Sequence, residues 1–260
     1  MEIVRGRRIR NLFGVLSGLK APVMAGLVLL LAWIIASRIE PSYVFPSITS
    51  VVSAVWSFIH LGTLWPATLS TTRSVLLGSV TSFFVGLVYG FLMHRFPSFF
   101  GPILNFIQTI PPIVYALMAV VWFGINFTSV IFVVFIVGFP IVAVNTAEGL
   151  ANTDPLLQEM SQACQASRVL IVREVILPGL VPYLLSAARI MLSFSWRFAI
   201  LGEMFAGGSG VGYNLNYAYE QSMIPQLFGW TVWLVILMWI SDYGIMLPLE
   251  RRLTKWKHSG

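Results

Sequence analysis

Charge is what this chain of 260 residues has least of: Asp, Glu, Lys and Arg make up 10% of it, against about 25% in soluble domains. So few charges cannot cover a water-facing surface of this size, and a soluble globular fold is excluded. Cysteine is nearly absent. Cys164 stands alone, which rules out an internal disulfide and a thiolate metal cluster. The histidines, His60, His94 and His258, are scattered, so no metal site and no Ser/His/Asp triad has the spacing it needs. No Gly-x-x-x-x-Gly-Lys-Ser/Thr stretch is present, so the chain brings no phosphate loop for ATP. No Gly/Ser-rich linker or internal repeat divides it, and 1–260 reads as a single domain.

What the chain has instead is apolar mass, 57% by residue, where about 45–50% is usual. Charge-free runs cover 21–37, 74–93 and 221–241, and nothing between Arg95 and Glu148 is charged. That last run is too long for one crossing, since about 20 residues span the hydrocarbon core. Gly124-Ile125-Asn126 reads as the tight turn that divides it. Residues 180–204 make a further span, interrupted by Arg189 and Arg197. The expectation is an all-α membrane protein with six spans, at about 21–37, 70–93, 102–122, 129–146, 180–204 and 228–248. Residues 48–61, capped by Ser47, read as an amphipathic helix on the outer surface.

The basic residues choose an orientation. Arg5, Arg7, Arg8, Arg10 and Lys20 precede the first span, Arg251, Arg252, Lys255 and Lys257 follow the last, and Arg95, Arg168 and Arg173 fall on the same side. The opposite loops hold clearly only Arg38. Both termini are therefore expected in the cytoplasm. The net charge of +6 follows from that bias and calls for no nucleic-acid partner. Ala36-Ser37-Arg38-Ile39 is a poor cleavage site, so the first span is read as retained.

Between the fourth and fifth spans lies a polar stretch of a different kind. Asn152-Thr153-Asp154-Pro155 is a helix start: Asp154 caps free amides and Pro155 suits the first turn. Leu156, Leu157, Met160 and Ala163 repeat along one face. Gln165 falls where that helix stops. Ser167 caps a second helix over 168–177, which Pro178 is expected to terminate. A pair of capped helices in a cytoplasmic loop is more than a bare connection needs, and it is read as a dock for a soluble partner.

This stretch resembles the cytoplasmic "EAA" loop of importer permeases of the ATP-binding-cassette superfamily. Glu159 matches the acidic position of the motif and Ile176-Leu177-Pro178 its end. Ala166-Ser167-Arg168 is similar to the subfamily that carries nitrate, sulfonate, taurine, bicarbonate and thiamine- or riboflavin-related compounds. The resemblance runs over roughly 64–256 through Ile110-Pro111-Pro112, Trp122-Phe123-Gly124-Ile125, Phe139-Pro140, Asn145-Thr146, Trp196, Gly202-Glu203-Met204, Gly210-Val211-Gly212-Tyr213 and Leu249-Glu250-Arg251-Arg252. Met160 and Ser161 replace the two alanines of the motif, and Gln165 replaces its glycine. A non-glycine residue in the left-handed turn such a glycine supplies costs about 1–2 kcal/mol.

The resemblance implies a type I importer permease fold with cytoplasmic coupling helices in the loop 147–178. It implies ATPase subunits as partners, a second permease subunit (a homodimer), an extracytoplasmic substrate-binding protein, and the bacterial inner membrane as location. The chain itself needs no cofactor, ATP being bound by the partner, and it is not an enzyme. Its coupling residues would be Asp154, Leu157, Glu159, Met160, Ala163, Gln165, Ala166, Ser167 and Arg168. The substrate would be a small organic or inorganic anion or a vitamin-precursor heterocycle, moved by alternating access.

Charges inside the membrane are functional candidates, because each is costly unless satisfied. Arg189 is expected to snorkel toward the cytoplasm. Arg197, beside Trp196, either lines the path and attracts an anion or packs against helix carbonyls. Glu203 either pairs with Arg73 or serves an outer gate, and residues 206–212 read as a mobile outer loop. Pro111-Pro112 bends the third span, either for packing or to shape the path. Tyr115 and Phe139 are candidates for the path wall. A secondary transporter would want paired acids near the bilayer centre. A membrane-embedded enzyme would want clustered His, Asp or Glu.

Overall fold

The computed structural model describes residues 24, 26–153, 156, 160, 164–246 and 248. The described residues are almost entirely helical: α1 (Gly26–Ile39), α2 (Ile48–His60), α3 (Leu64–Arg95), α4 (Pro97–Thr109), α5 (Pro112–Phe123) and α6 (Phe127–Ala151). Then come α7 (Val169–Ala206), α8 (Val211–Glu220) and α9 (Ile224–Trp239), the last running on as a π-helical turn, Ile240–Met246. Four helices are long and apolar enough to cross a bilayer, and α4 with α5 adds a fifth crossing if the bent pair counts as one span. The expected first span begins outside the described residues, and α1 is a shorter apolar helix within it.

The span expected over 102–122 is two helices, bent 89° from one another. Two consecutive prolines decide this. The residue before a proline is pushed out of the α region, and both Ile110 (φ −75, ψ 123) and Pro111 (φ −59, ψ 138) precede one. The break frees carbonyls that need donors in a membrane. Tyr115, buried at the start of α5, reaches back over the break and donates its hydroxyl to the Ile107 carbonyl at 2.9 Å.

The centre of the bundle is the α3–α6 pair, packed backbone to backbone. A Cβ on Gly86 would lie 2.6 Å from the Phe139 carbonyl oxygen, and one on Gly90 would lie 2.6 Å from the Ala143 carbonyl oxygen. Small residues at such crossings are how helices associate where lipid is as apolar as leucine. Ser82 donates to the Phe135 carbonyl at 3.2 Å, and Ser79 donates to Ser195 on α7 at 2.9 Å. On the far side Trp233 of α9 donates to Thr68 at 2.8 Å, and Phe58 of α2 stacks on Trp230 at 4.2 Å. The amphipathic α2 is thereby covered on its Val51, Ala54 and Phe58 face.

Pro178 does not end a helix. The helical stretch from Arg168 continues through a π turn, Val172–Ile176, into Leu177–Ala206. The amide of Leu177 bonds to the Val172 carbonyl, five residues back. Proline lacks an amide and its ring crowds the carbonyl four residues earlier. The one-residue widening just before Pro178 relieves that conflict, so the chain passes through it without stopping.

Candidate functional site

The polar segment presents an apolar surface. Met160, Cys164, Ala166, Leu170, Ile171 and Val175 line a groove of 280 Å³ with Glu174 at its edge. Met160, Val169 and Leu170 are all exposed. An open apolar patch of this kind marks an interaction surface. Ser167 caps the second helix, its hydroxyl accepting from the Leu170 amide at 3.3 Å. Gln165 sits at φ 51, in the left-handed region the glycine of the motif would favour. Asp154, Leu157, Glu159 and Ala163 lie outside the described residues.

A second locus lies within the membrane. Arg189, Ser193, Trp196 and Arg197 recur at helical spacing and occupy one face of α7. Met238, Ser241, Asp242 and Met246 do the same along the last helix. Most of these residues line a cavity of 220 Å³ between the two elements, walled also by Trp239 and Tyr243. Arg189 pairs with Asp242, Nε to Oδ1 at 3.3 Å, with both side chains about a third exposed (38% and 29%). That replaces the expected snorkelling: the cation finds an acid on the neighbouring helix. Asp242 falls inside the expected span 228–248. Arg197 has no acidic partner among the described residues. Its guanidinium lies 5.3 Å from the centroid of the Phe194 ring. The indole N–H of Trp196 is buried without a hydrogen-bond partner.

The other pathway candidates do not join this cavity. Tyr115 splints the α4–α5 break. Phe139 is buried in packing, stacked on Phe135 at 5.4 Å and edge-on to Tyr89 at 5.7 Å. Glu203 is 1% exposed and does not meet Arg73, which is exposed on α3. Its Oε2 accepts from the Thr71 hydroxyl at 2.9 Å and from the Gly212 amide at 2.8 Å. Thr71 in turn accepts from the Val211 amide at 2.8 Å. The carboxylate therefore takes the place of a capping anion at the start of α8, where free amides and the helix dipole favour negative charge. The loop expected to be mobile is tied on several sides, Ser209 also bonding Ser70 at 2.9 Å. Gly210, at φ 117, leaves room that a Cβ would fill 2.3 Å from the Glu203 carboxylate.

Residues 82–243 match the family described as the binding-protein-dependent transport system inner membrane component. The chain belongs to this family. It is a permease subunit of an ATP-driven importer and not itself an enzyme. The taurine transport system permease protein of Escherichia coli strain K12 is 28% identical to it over 197 residues, 75% of this chain and 71% of that one. The putative aliphatic sulfonates transport permease protein of Bacillus subtilis strain 168 is 26% identical over 99% of this chain and 94% of its own length. The permease also shares its fold with the MetNI methionine ABC transporter in inward-facing conformations, with a TM-score of 0.64 at 22% identity, covering 75% of this chain and 97% of that one. Family membership places the permease in the inner membrane as a multi-pass subunit.

Asp242, Ser193 and Ser241 were not singled out from the sequence. The signal was there for Asp242, an acid at the end of a charge-free run of 21 residues, 221–241. The serines carry no signal until α7 and α9 are seen to face each other.

Proposed function

We propose that this permease docks an ATP-binding-cassette ATPase through residues 152–178 and, as a homodimer, passes a sulfonate-like solute delivered by an external binding protein. The observation that carries the docking is the exposed apolar groove around Met160, Leu170 and Val175 beside the strained turn at Gln165. Asp154, Leu157, Glu159 and Ala163 would complete that surface with Ala166, Ser167 and Arg168. Closure of the ATPases would push the two docking segments together, and the bundles would rock between inward- and outward-facing states. Net transport then depends on contacts that differ between the states. Trp196 and Arg197 would line the path. The sulfonate assignment rests on the named substrates of the relatives together with Arg197, which has no acidic partner among the described residues.

The test is purification of the tagged permease from its own membrane. The expected result is co-elution of an ATPase, lost in Leu157→Asp. Elution of the permease without any ATPase would overturn the docking. The bias of basic residues along the sequence supports a cytoplasmic docking segment, so Cys164, which is exposed, should react with an impermeant thiol reagent only after permeabilisation. Labelling in intact cells would reverse the orientation.

A further inference from the structure

We propose that the cavity between α7 and the π-helical end of α9 is a transit site for a compact organic monoanion, so that this subunit itself selects the net charge of what passes. The proposal rests on the reading of the chain as a permease and adds to it a site and a ligand class.

The depth of the cavity comes first. Arg197 and Arg189 precede the end of α7 at Ala206 by nine and seventeen residues, about 14 and 26 Å at 1.5 Å per residue. The cavity therefore lies within the roughly 30 Å hydrocarbon core, where lipid headgroups do not sit and a bare charge is costly. The charges then count simply. Asp242 is compensated by Arg189 at 3.3 Å. Arg197 has no acidic partner among the described residues, so the described residues leave the site one net positive charge. A monoanion restores neutrality. A zwitterion does not, and its ammonium would have to compete with Arg189 for Asp242. A dianion finds one cation too few.

The walls narrow the class further. Trp196, Trp239 and Tyr243 give the cavity aromatic surface, and Met238 and Met246 give it apolar surface. These suit a short carbon body and do nothing for a bare inorganic ion. Ser193 and Ser241 line the same cavity as Arg197, and their hydroxyls can donate to a sulfonate or carboxylate while Arg197 meets it with its planar fork. The volume of 220 Å³ is that of roughly seven waters at about 30 Å³ each, enough for a small organic anion with part of its hydration. The π turn Ile240–Met246 forms the cavity's second wall. Such widenings recur at functional sites because they re-aim side chains without ending the helix.

The single native cysteine makes the electrostatics measurable without knowing the transported solute. In a Cys164→Ser background, Ser193→Cys places one thiol in the wall. Its labelling by two methanethiosulfonate reagents of similar size, one carrying a sulfonate and one a trimethylammonium, is compared after correction for their rates with free thiol. The anionic reagent should be favoured. Arg197→Gln should lower that preference about tenfold, and Arg197→Lys should keep most of it. Ethanesulfonate should protect the thiol at concentrations where taurine and nitrate do not. A preference unchanged by Arg197→Gln, or a thiol closed to both reagents, would overturn the site. Equal protection by taurine would overturn the selection of net charge, and equal protection by nitrate would overturn the organic class. If Arg197→Gln does not insert, the protection series in the Ser193→Cys protein decides alone. Absence of the labelling preference in the Ser193→Cys protein, with ATPase co-elution intact, refutes the site and leaves the permease reading standing. The reverse pattern refutes the docking alone.

Discussion

The two ends of α7 are built on opposite principles. At the α8 end Ala199, Glu203 and Ala206 are buried, and the Glu203 carboxylate joins α3 through Thr71 and α8 through Gly212. At the other end Val169, Leu170, Val172 and Leu177 are exposed, the helix widens into a π turn, and a nearby ion pair, Arg173–Glu174, is solvent-exposed at 3.6 Å. A surface ion pair of that kind contributes about 0–1 kcal/mol. One end is packed and hydrogen-bonded within the subunit. The other leaves its apolar surface for something outside it. Under the proposed docking, a helix anchored at one end and docked at the other would carry displacement across the membrane, with Arg189 and Arg197 between the two ends.

If that contrast is right, the largest effect should come from the unsatisfied end. Glu159→Lys should abolish transport and substrate-stimulated ATP hydrolysis, with normal amounts of permease in the membrane, because the loss is of a partner and not of packing. Normal transport by this variant would remove the functional half of the comparison. Gly210→Val attacks the anchored end. It forces a β-branched residue to φ 117 and its Cβ to 2.3 Å from the Glu203 carboxylate. Overpacking plus backbone strain should lower stability by about 3 kcal/mol, read as a fall in Tm of the solubilised protein. Gly208→Ala, with nothing within 4 Å of the new Cβ, should leave Tm unchanged and serves as its control.

Glu203→Ala should cost less, about 2 kcal/mol, for leaving the Thr71 hydroxyl and the Gly212 amide without their acceptor. Glu203→Gln, which keeps an acceptor oxygen, should recover most of that in the same thermal measurement. Equal Tm values for the Ala variant and the parent would show that the anchor contributes nothing. The smallest effect is at Gln165. Glycine tolerates φ 51 without a steric penalty, so Gln165→Gly should leave stability, read as Tm, unchanged or raise it by up to about 1 kcal/mol. A fall in ATPase coupling with Tm held would mean that the glutamine side chain touches the partner.

Parts of this architecture were readable along the chain. Ser47 and Ser167 cap the helices their positions suggested, and Gln165 adopts the turn that its place in the motif required. Gly124-Ile125-Asn126 separates α5 from α6, with Asn126 accepting from the Thr128 amide at 2.8 Å. Each of these is decided by a few neighbouring residues. Pro178 was misjudged because its effect depends on whether the preceding turn can widen, which composition does not reveal. For Glu203, charge suggests a partner of opposite sign, and pairing with Arg73 is one of its two expected roles, whereas the folded chain offers it an amide and a hydroxyl. Tyr115, Phe139 and Glu203 were grouped with Trp196 and Arg197 as pathway candidates. Only the last two share a cavity.

By itself the sequence determined what solvation and local periodicity control. Scarce charge and long apolar runs place the chain in a bilayer, and a capped polar stretch between spans marks the surface left for a partner. Only the tertiary structure decided which side chains meet. Thr71 lies 132 residues from Glu203, and Arg189 lies 53 from Asp242. Helical spacing puts Arg189, Ser193 and Arg197 on one face but is silent about the helix that face will find. That choice belongs to the close α3–α6 packing and to the way α7 and α9 settle around it. For that reason the path-facing cavity became visible only in three dimensions.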